Sequence, residues 1–284
     1  MNYVSTQSSE PRKRSLLVRA TKYGLHRSRR AVIRPVILMR YRLGEGRGNK
    51  RRLQEARRSV EYSSPPDKPL VSVLIPTYTN SKLLLERGLP SVFSQTYKDF
   101  EIVVVGDACA EEHVQRIESW IEAKNDPRIR FHNLPVRGSY PSDPSRRWGV
   151  AGVVPRNRAL ELAKGEWLAP LDDDDEFSED HIESLLEFAR SGGYEFVYGA
   201  VRHEMKDGSW MELGSAPLRE GEICHLSVLY HRRLSFLRYD VCAWKYDEPA
   251  DWNMWRRMRE AGAKIGFLDK VIGVHHRGSS GFGK

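Results

Sequence analysis

The sequence has few cysteines and no long apolar run. Its 284 residues include three cysteines, which are odd in number, far apart and outside any metal-ligand spacing: Cys109, Cys224 and Cys242. This usage predicts a reducing compartment. The best candidate for a membrane span, AVIRPVILM at 31–39, is short and contains an arginine and a proline. No apolar segment of a signal peptide follows the early basic residues, so we expect a cytoplasmic protein.

The sequence also lacks the glycine-rich loops that bind phosphates in two large enzyme classes. No GxxxxGK[ST] motif is present, and no GxGxxG motif follows the first predicted strand. These absences argue against a P-loop nucleotidase and against a dinucleotide-dependent enzyme. A diphosphate bound by this chain would therefore need its charge offset by other means, such as a metal ion.

Negative charge is scarce at the start of the chain and in excess afterwards. The formal net charge is +8, but residues 1–60 carry 17 Lys and Arg against three acids, which leaves about −6 on the rest. Nucleic acid is therefore not the expected partner of the folded part. The leader, 1–62, is either a disordered tail or a basic helix on an anionic membrane surface, which would place the protein at the inner face of the membrane. The segment SSPPDKP at 63–69 reads as a linker before a domain at 70–284.

Within that domain, apolar runs alternate with helical patterns as far as residue 200. Strands are predicted at 70–75, 100–107, 128–133, 166–171 and 194–200. Helices are predicted at 83–95, 111–123, 156–163 and 178–190. This alternation predicts an α/β fold with a mostly parallel sheet flanked by helices, and residues 201–284 look mixed.

Polar residues follow three of these strands, at the edge where ligands bind in open α/β sheets. PTYTN follows the first strand, Asp107 the second, and the run Asp172 to Asp175 the fourth. A lone aspartate at such a place is often a turn residue or a helix cap. Four adjacent carboxylates repel one another, which a solvated loop can tolerate but a divalent cation offsets directly.

Alternation along an extended segment puts Asp172 and Asp174 on the same side, where they can hold one hard cation. Mg²⁺ and Mn²⁺ take one or two carboxylates and complete their shell with water and substrate phosphates. The acidic run therefore predicts a Mn²⁺ or Mg²⁺ site and a diphosphate-bearing substrate.

Four motifs together resemble the family 2 glycosyltransferases of the GT-A fold over about residues 69–280. They are VSVLIPTYTN, SVFSQTYKDFEIVVVGDACAEE, PRNRALELAKGEWLAPLDDDDEF and EPADWNMWRRMREAG. The resemblance implies a Rossmann-like nucleotide-sugar region at 70–200 and a mixed acceptor region at 201–284.

The resemblance also implies a donor site. Its residues would be Pro76, Thr77, Tyr78, Asp107, Arg156, Asn157, Asp172 and Asp173. The third acid of the run, Asp174, would bind the metal that bridges the diphosphate, in a register uncertain by one residue. Many relatives carry two acids where this chain has Gly106 before Asp107.

On the acceptor side, the family's base motif matches ADWNMW, so the resemblance implies that Asp251 is the catalytic base. Its position after a proline and before a predicted helix is also that of a natural helix cap, which is the alternative. His276 would lie near the metal or the diphosphate, and a solvated or packing role is the alternative. Trp244, Trp252 and Trp255 either stack on an acceptor sugar or pack in the core.

These residues predict an inverting transfer of a sugar, from a nucleotide-diphosphate sugar such as a UDP-sugar to a glycan or glycoconjugate hydroxyl in polysaccharide synthesis. One base and no second carboxylate nucleophile favour inversion. Two alternatives remain at this point: a sugar-nucleotidyltransferase and a non-enzymatic protein that tethers through its basic tail.

Overall fold

The computed structural model describes residues 43–59 and 66–277, together with positions 35, 36, 39 and 41. Residues 1–45 and 46–284 form two compact units. Most of the predicted leader, including its proposed contact with an anionic membrane, lies outside the described residues and stays a prediction. Within the described part, no helix combines the length and the apolar character needed to cross a bilayer.

In its described residues, the larger unit contains nine strands and the helices that cover them. The strands are β1 (Val71–Thr77), β2 (Phe100–Gly106), β3 (Ile129–Asn133), β4 (Trp167–Pro170), β5 (Glu176–Phe177), β6 (Phe196–Glu204), β7 (Trp210–Leu213), β8 (Val228–His231) and β9 (Ile265–His275). The helices are α1 (Glu45–Arg57), α2, α3 (Glu111–Lys124), α4 (Pro144–Trp148), α5 (Val153–Leu162), α6 (His181–Gly192) and α7 (Ala250–Ala261). Helix α2 begins at Ser81–Leu83, passes through a π-helical turn at Leu84–Gly88 and ends at Leu89–Phe93.

Eight strands follow the order β3-β2-β1-β4-β8-β6-β9-β5, and β7 pairs with β6 at the side. The first four strands are parallel, because βαβ crossovers connect them. β8 runs antiparallel to both β4 and β6, and β9 is parallel to β6. The predicted α/β fold with a mainly parallel sheet is confirmed, and the mixed part begins where the regular alternation ends in the sequence.

Strand β1 is buried at all seven positions because both faces of the sheet are covered. Leu74 faces a core built with α1, α5 and α7. Val73 and Ile75 face a second core built with α2, α3 and α6. The alternation of neighbouring residues between two cores is the pattern of a central strand in a three-layer α/β/α arrangement.

Helix α1 falls within the predicted leader but packs against the domain. Leu53 is fully buried in the first core. At the end of the helix, the guanidinium of Arg57 donates to both carboxylate oxygens of Glu195, at 2.8 and 2.6 Å. Helix α1 is therefore held on the domain by the buried Leu53 and by Arg57, which forms a two-point ion pair with Glu195 and also donates to the Gly262 carbonyl at 2.9 Å.

Candidate active site

The carboxyl ends of β1, β2 and β4 lie side by side, because these three strands are parallel neighbours. In the register of the sheet Thr77 faces Gly106, and the backbone N–H of Asp107 donates to the carbonyl of Thr77 at 2.9 Å. The acidic run begins two residues after Pro170, the last residue of β4. The sheet therefore brings the three polar segments to one edge.

Asp107 is 3% exposed and accepts hydrogen bonds from the segment between β3 and α4. Its oxygens accept from the Gly138 backbone N–H at 2.9 Å and from the Tyr140 hydroxyl at 2.8 Å. Burial and the Asp107 charge raise the pKa of Tyr140, so its hydroxyl stays a donor. The guanidinium of Arg137 lies 3.8 Å from Asp107 and 3.8 Å from the centre of the Tyr78 ring.

A glycine precedes Asp107 because another side chain occupies the space beside it. A Cβ on Gly106 would lie 2.4 Å from Oδ1 of Asn133 and 2.8 Å from Sγ of Cys109. The amide of Asn133 donates to the carbonyl of Cys109 and accepts from its N–H. This clamp leaves no room for a side chain at position 106.

The first acid of the run, Asp172, is held by two basic side chains. Its Oδ1 accepts from Nη2 of Arg156 at 2.8 Å and lies 3.3 Å from Nδ1 of His225. Burial disfavours its charge, but Arg156 and His225 outweigh burial and hold the pKa of Asp172 well below its ordinary value. Burial by itself would lower the pKa of Arg156. The net pKa is nevertheless raised, because negative charge on the neighbouring Asp172, Tyr239 and Asp251 favours the charged guanidinium. Asp251 is thus close enough to act on the arginine that binds Asp172.

The negative charges of the next two acids, Asp173 and Asp174, have fewer basic or hydrogen-bonding partners than that of Asp172. Asp173 accepts from Nδ2 of Asn80 at 3.2 Å, and burial raises its pKa to about 6. Burial, with the charges of Asp175, Asp173 and Asp172, raises the pKa of Asp174 to about 8. In the described part of the chain, no side chain forms an ion pair or hydrogen bond with the Asp174 carboxylate.

Asp174 thus has the character of a cation ligand, because it is a hard oxygen donor with uncompensated negative charge around it. Its backbone carbonyl accepts from Nη1 of Arg87 at 2.8 Å, which orients this part of the loop. The residues present therefore fit Mn²⁺ or Mg²⁺.

Asp175 connects the acidic run to the last strand. It is fully buried, and its oxygens lie 2.9 Å from Nδ1 of His275 and accept from the His276 N–H at 2.9 Å. The Cys224 thiol lies within 4.8 Å of the donor atoms of Asp175 and His275. Asp175, which had no assigned role, is therefore a structural link between the loop and β9.

His276, the predicted metal-site histidine, is next to this link but its ring has other contacts. Its Nε2 lies 2.8 Å from Oε1 of Glu176, and its Nδ1 lies 3.9 Å from Glu204. Binding a metal with Asp174 would require the ring to exchange these partners.

Asp251 lies in the first turn of α7, where a cap residue would also lie. Its Oδ1 accepts from the Trp252 N–H at 2.7 Å, and no described residue donates to Oδ2. The preceding residue, Ala250, donates its N–H to the carbonyl of Gly149 at 2.7 Å. One oxygen of Asp251 is thus oriented by the helix and the other is available.

Asn157, a predicted donor-site residue, has a clear structural contact. It forms a two-point hydrogen bond with the backbone of Tyr239, at 2.9 and 3.0 Å, so its amide joins α5 to the segment before α7.

The tryptophans of the C-terminal region were predicted either to stack on an acceptor sugar or to pack in the core. Trp252 is 7% exposed and Trp255 is fully buried, so the acceptor-stacking alternative is wrong for both and they belong to the core. Trp244 is only partly buried.

Sequence reasoning missed the residues that hold the acids in place. They are Asn80, Arg137, Gly138, Tyr140 and His225. Asn80 ends the PTYTN motif and could have been found from it. The others come from segments 30 or more residues away from the acids they contact, and no local pattern indicates such pairings.

A family model described as "Glycosyl transferase family 2" matches residues 72–142 and 144–258. Among curated proteins, the chain is 26% identical over 183 residues to a putative colanic acid biosynthesis glycosyl transferase of Escherichia coli, covering 64% of this chain and 60% of that protein. It is 28% identical over 228 residues to the hyaluronan synthase of Pasteurella multocida, covering 75% of this chain and 21% of the synthase. The chain thus spans about three fifths of the first relative and about a fifth of the second.

Solved structures show the same fold. S. aureus TarS 1-349 in complex with UDP aligns with a TM-score of 0.56 at 19% identity, covering 72% of this chain and 60% of that one. The mannosyltransferase PcManGT from Pyrobaculum calidifontis, in complex with GDP-Man and Mn²⁺, aligns with a TM-score of 0.56 at 17% identity, covering 89% and 70%. The GT-A fold is therefore confirmed.

Proposed function

Because this chain belongs to glycosyl transferase family 2 and is a glycosyltransferase, we propose that it moves a sugar from a UDP-sugar to a hydroxyl of a cell-surface glycan, with inversion of the anomeric centre. The observation that carries this proposal is the convergence of acids at one edge of the sheet, where Asp107 follows β2 and the run Asp172 to Asp175 follows β4. The Asp174 carboxylate, which has no hydrogen bond or ion pair to a described side chain, fits the cation that accompanies a nucleotide-diphosphate donor. The family match also speaks against the nucleotidyltransferase and tether alternatives.

The donor nucleotide would lie over the ends of β1 and β2. Asp107 would accept from the base, and Thr77 and Tyr78 would line the pocket next to the Arg137 guanidinium. Asp172 and Asp173 would face the ribose, with Arg156 keeping Asp172 charged. Support for a UDP-sugar comes from TarS, whose fold this chain shares and which has been solved with UDP and with UDP-GlcNAc.

Asp174 would hold the divalent cation, with His276 as a second candidate ligand. When bound, the cation supplies Lewis-acid stabilisation of the charge that develops on the departing diphosphate. The loop's own contribution is to bring carboxylates together before the donor arrives, since Asp175 is tied to β9 and the carbonyl of Asp174 to Arg87. The mannosyltransferase with Mn²⁺ in its structure is consistent with this choice of metal.

Asp251 would accept the proton of the acceptor hydroxyl as that oxygen attacks the anomeric carbon. The Trp252 N–H orients one carboxylate oxygen, which leaves Oδ2 to take the proton. A single base with in-line attack inverts the anomeric centre, and a retaining double displacement would need another carboxylate as nucleophile.

The test uses two substitutions with opposite expectations. Asp251→Asn should reduce transfer by about 10²–10⁴-fold while donor affinity, measured by calorimetry with Mn²⁺, is retained. Asp174→Ala should instead abolish the Mn²⁺ dependence of donor binding. Asp207→Asn, in the exposed turn between β6 and β7, is the matched control and should change neither quantity.

Normal turnover by Asp251→Asn would rule out its role as the base. Donor binding that is equal with Mn²⁺ and with EDTA, in the unsubstituted protein, would rule out the metal site. Analysis of the product's anomeric configuration by NMR checks inversion.

A further inference from the structure

A tryptophan near the start of the helix that carries the proposed base is largely exposed to solvent. Trp148 is 64% exposed, whereas Trp210, the other exposed tryptophan of the described residues, is 41% exposed. It ends α4, and the carbonyl of the following Gly149 accepts the N–H of Ala250, which directly precedes Asp251. The exposed indole therefore lies at the start of the helix that carries the base.

A second aromatic ring lies against the same short helix. Trp244 lies in a 3₁₀ turn, Ala243–Tyr246, and the Arg146 guanidinium carbon is 5.0 Å from the centre of its ring. The ammonium of Lys245 is 5.6 Å from that ring. Arg146 thus connects the Trp148 helix to Trp244, and two cations flank one indole.

These two cations have no carboxylate partner in the described part of the chain, since neither Arg146 nor Lys245 forms an ion pair there. The acid nearest to Arg146 along the chain, Asp143, has its Oδ1 engaged as the cap of α4, accepting from the Ser145 hydroxyl and the Arg146 N–H. Unpaired cations over aromatic rings, next to an exposed indole, are suited to a ligand with both apolar sugar faces and negative charge.

We propose that Trp148, Trp244, Arg146 and Lys245 form the acceptor subsite, and that the acceptor is an anionic glycan bearing carboxylate or phosphate groups. This inference rests on the proposed function, because it places the acceptor at Asp251. The exposed Trp148 ring takes the C–H face of the sugar, and the two cations beside Trp244 select its charge. The subsite brings an acceptor hydroxyl to Asp251 because Gly149 and Ala250 join the two segments.

The experiment measures binding and transfer separately. Binding to the full chain is followed by tryptophan fluorescence with four probes: a hyaluronan hexasaccharide, its carboxyl-reduced neutral form, maltohexaose phosphorylated at one end, and plain maltohexaose. We expect the charged members to bind at least about tenfold more tightly than their neutral counterparts, with an advantage that shrinks as NaCl rises. The carboxylate and phosphate pairs distinguish which anion the subsite prefers.

Three variants then test the residues. Arg146→Gln combined with Lys245→Gln should remove most of the advantage of the charged probes, and Trp148→Ala should weaken charged and neutral probes alike. Lys124→Gln, which removes the cation of α3 that lies over the Phe93 ring of α2, is the matched control and should change nothing. Mn²⁺-dependent hydrolysis of UDP-sugars is measured in the unsubstituted protein and in Lys124→Gln, where the two rates should be equal.

Equal binding of charged and neutral probes, or unchanged selectivity in the double variant, would overturn the acceptor assignment while donor hydrolysis still supports the proposed function. Absence of donor hydrolysis and transfer with all sugar nucleotides would instead count against the proposed function. The two failures are therefore distinguishable in one set of measurements.

Discussion

Glu248 is a buried acid that sequence reasoning left without a role, and its removal should weaken the helix that carries the proposed base. It is 5% exposed, and its carboxylate accepts from Nε and Nη2 of Arg256 at 2.8 and 2.9 Å and from Nδ2 of Asn253 at 2.7 Å. In Glu248→Gln the amide NH₂ would face these donors, and the positive charge of Arg256 would lose its closest partner.

Breaking a buried pair by removing one member costs about 3–5 kcal/mol. Arg256 also donates to Glu260 at 3.2 Å, so we expect Glu248→Gln to lower the free energy of unfolding by the lower end of that range, about 3 kcal/mol. Urea denaturation of the full chain measures this loss. Transfer should fall as well, because Asn253 and Arg256 belong to the same helix as Asp251.

The matched control is Glu161→Gln. Its pair with Arg158 is 3.0 Å long but exposed, at 51% and 38% for the two side chains, so its removal should cost less than about 1 kcal/mol. If Glu248→Gln is no more destabilising than Glu161→Gln, the reasoning from burial is refuted.

Three other changes probe separate parts of the molecule. Leu53→Ala should lower the free energy of unfolding by about 2–5 kcal/mol, because Leu53 is fully buried against the domain. Gly48→Ala should raise the free energy of unfolding by about 0.5–1 kcal/mol, because an added Cβ meets nothing within 4 Å. Urea denaturation measures both changes. Gly106→Ala should weaken donor binding in calorimetry, because its Cβ would displace Asn133 from the backbone of Cys109; unchanged affinity would contradict the clamp. Burial lowers the pKa of His181 from 6.5 to about 4, so between these pH values the unfolded chain binds a proton that the folded chain does not. The free energy of unfolding should therefore fall by about 1.4 kcal/mol per pH unit as the pH falls from 6.5 towards 4. Denaturation midpoints at pH 7 and 4.5 should show a smaller difference in His181→Asn.

The strands and most helices could be predicted because their signals are local. β2 was expected at 100–107 and spans Phe100–Gly106, and α3 was expected at 111–123 and spans Glu111–Lys124. Apolar β-branched runs and helical periodicity are properties of neighbouring residues, so they can be read without a structure. Strands β7, β8 and β9 were not predicted, because residues 201–284 show no regular alternation of strand and helix patterns. The pairing of β8 and β9 with β6 is visible only in the structure.

The candidate site likewise has one part that the sequence predicts and another that only the structure shows. The sequence by itself determined that acids follow β2 and β4, because the order of strand and loop is written in the chain. Only the tertiary structure decided how those acids are compensated: Asp172 by Arg156 and His225, Asp175 by His275, and Asp174 by no described side chain. The physical reason is that the charge state and orientation of a carboxylate depend on burial and on partners from distant segments, which the fold brings together and no local pattern contains.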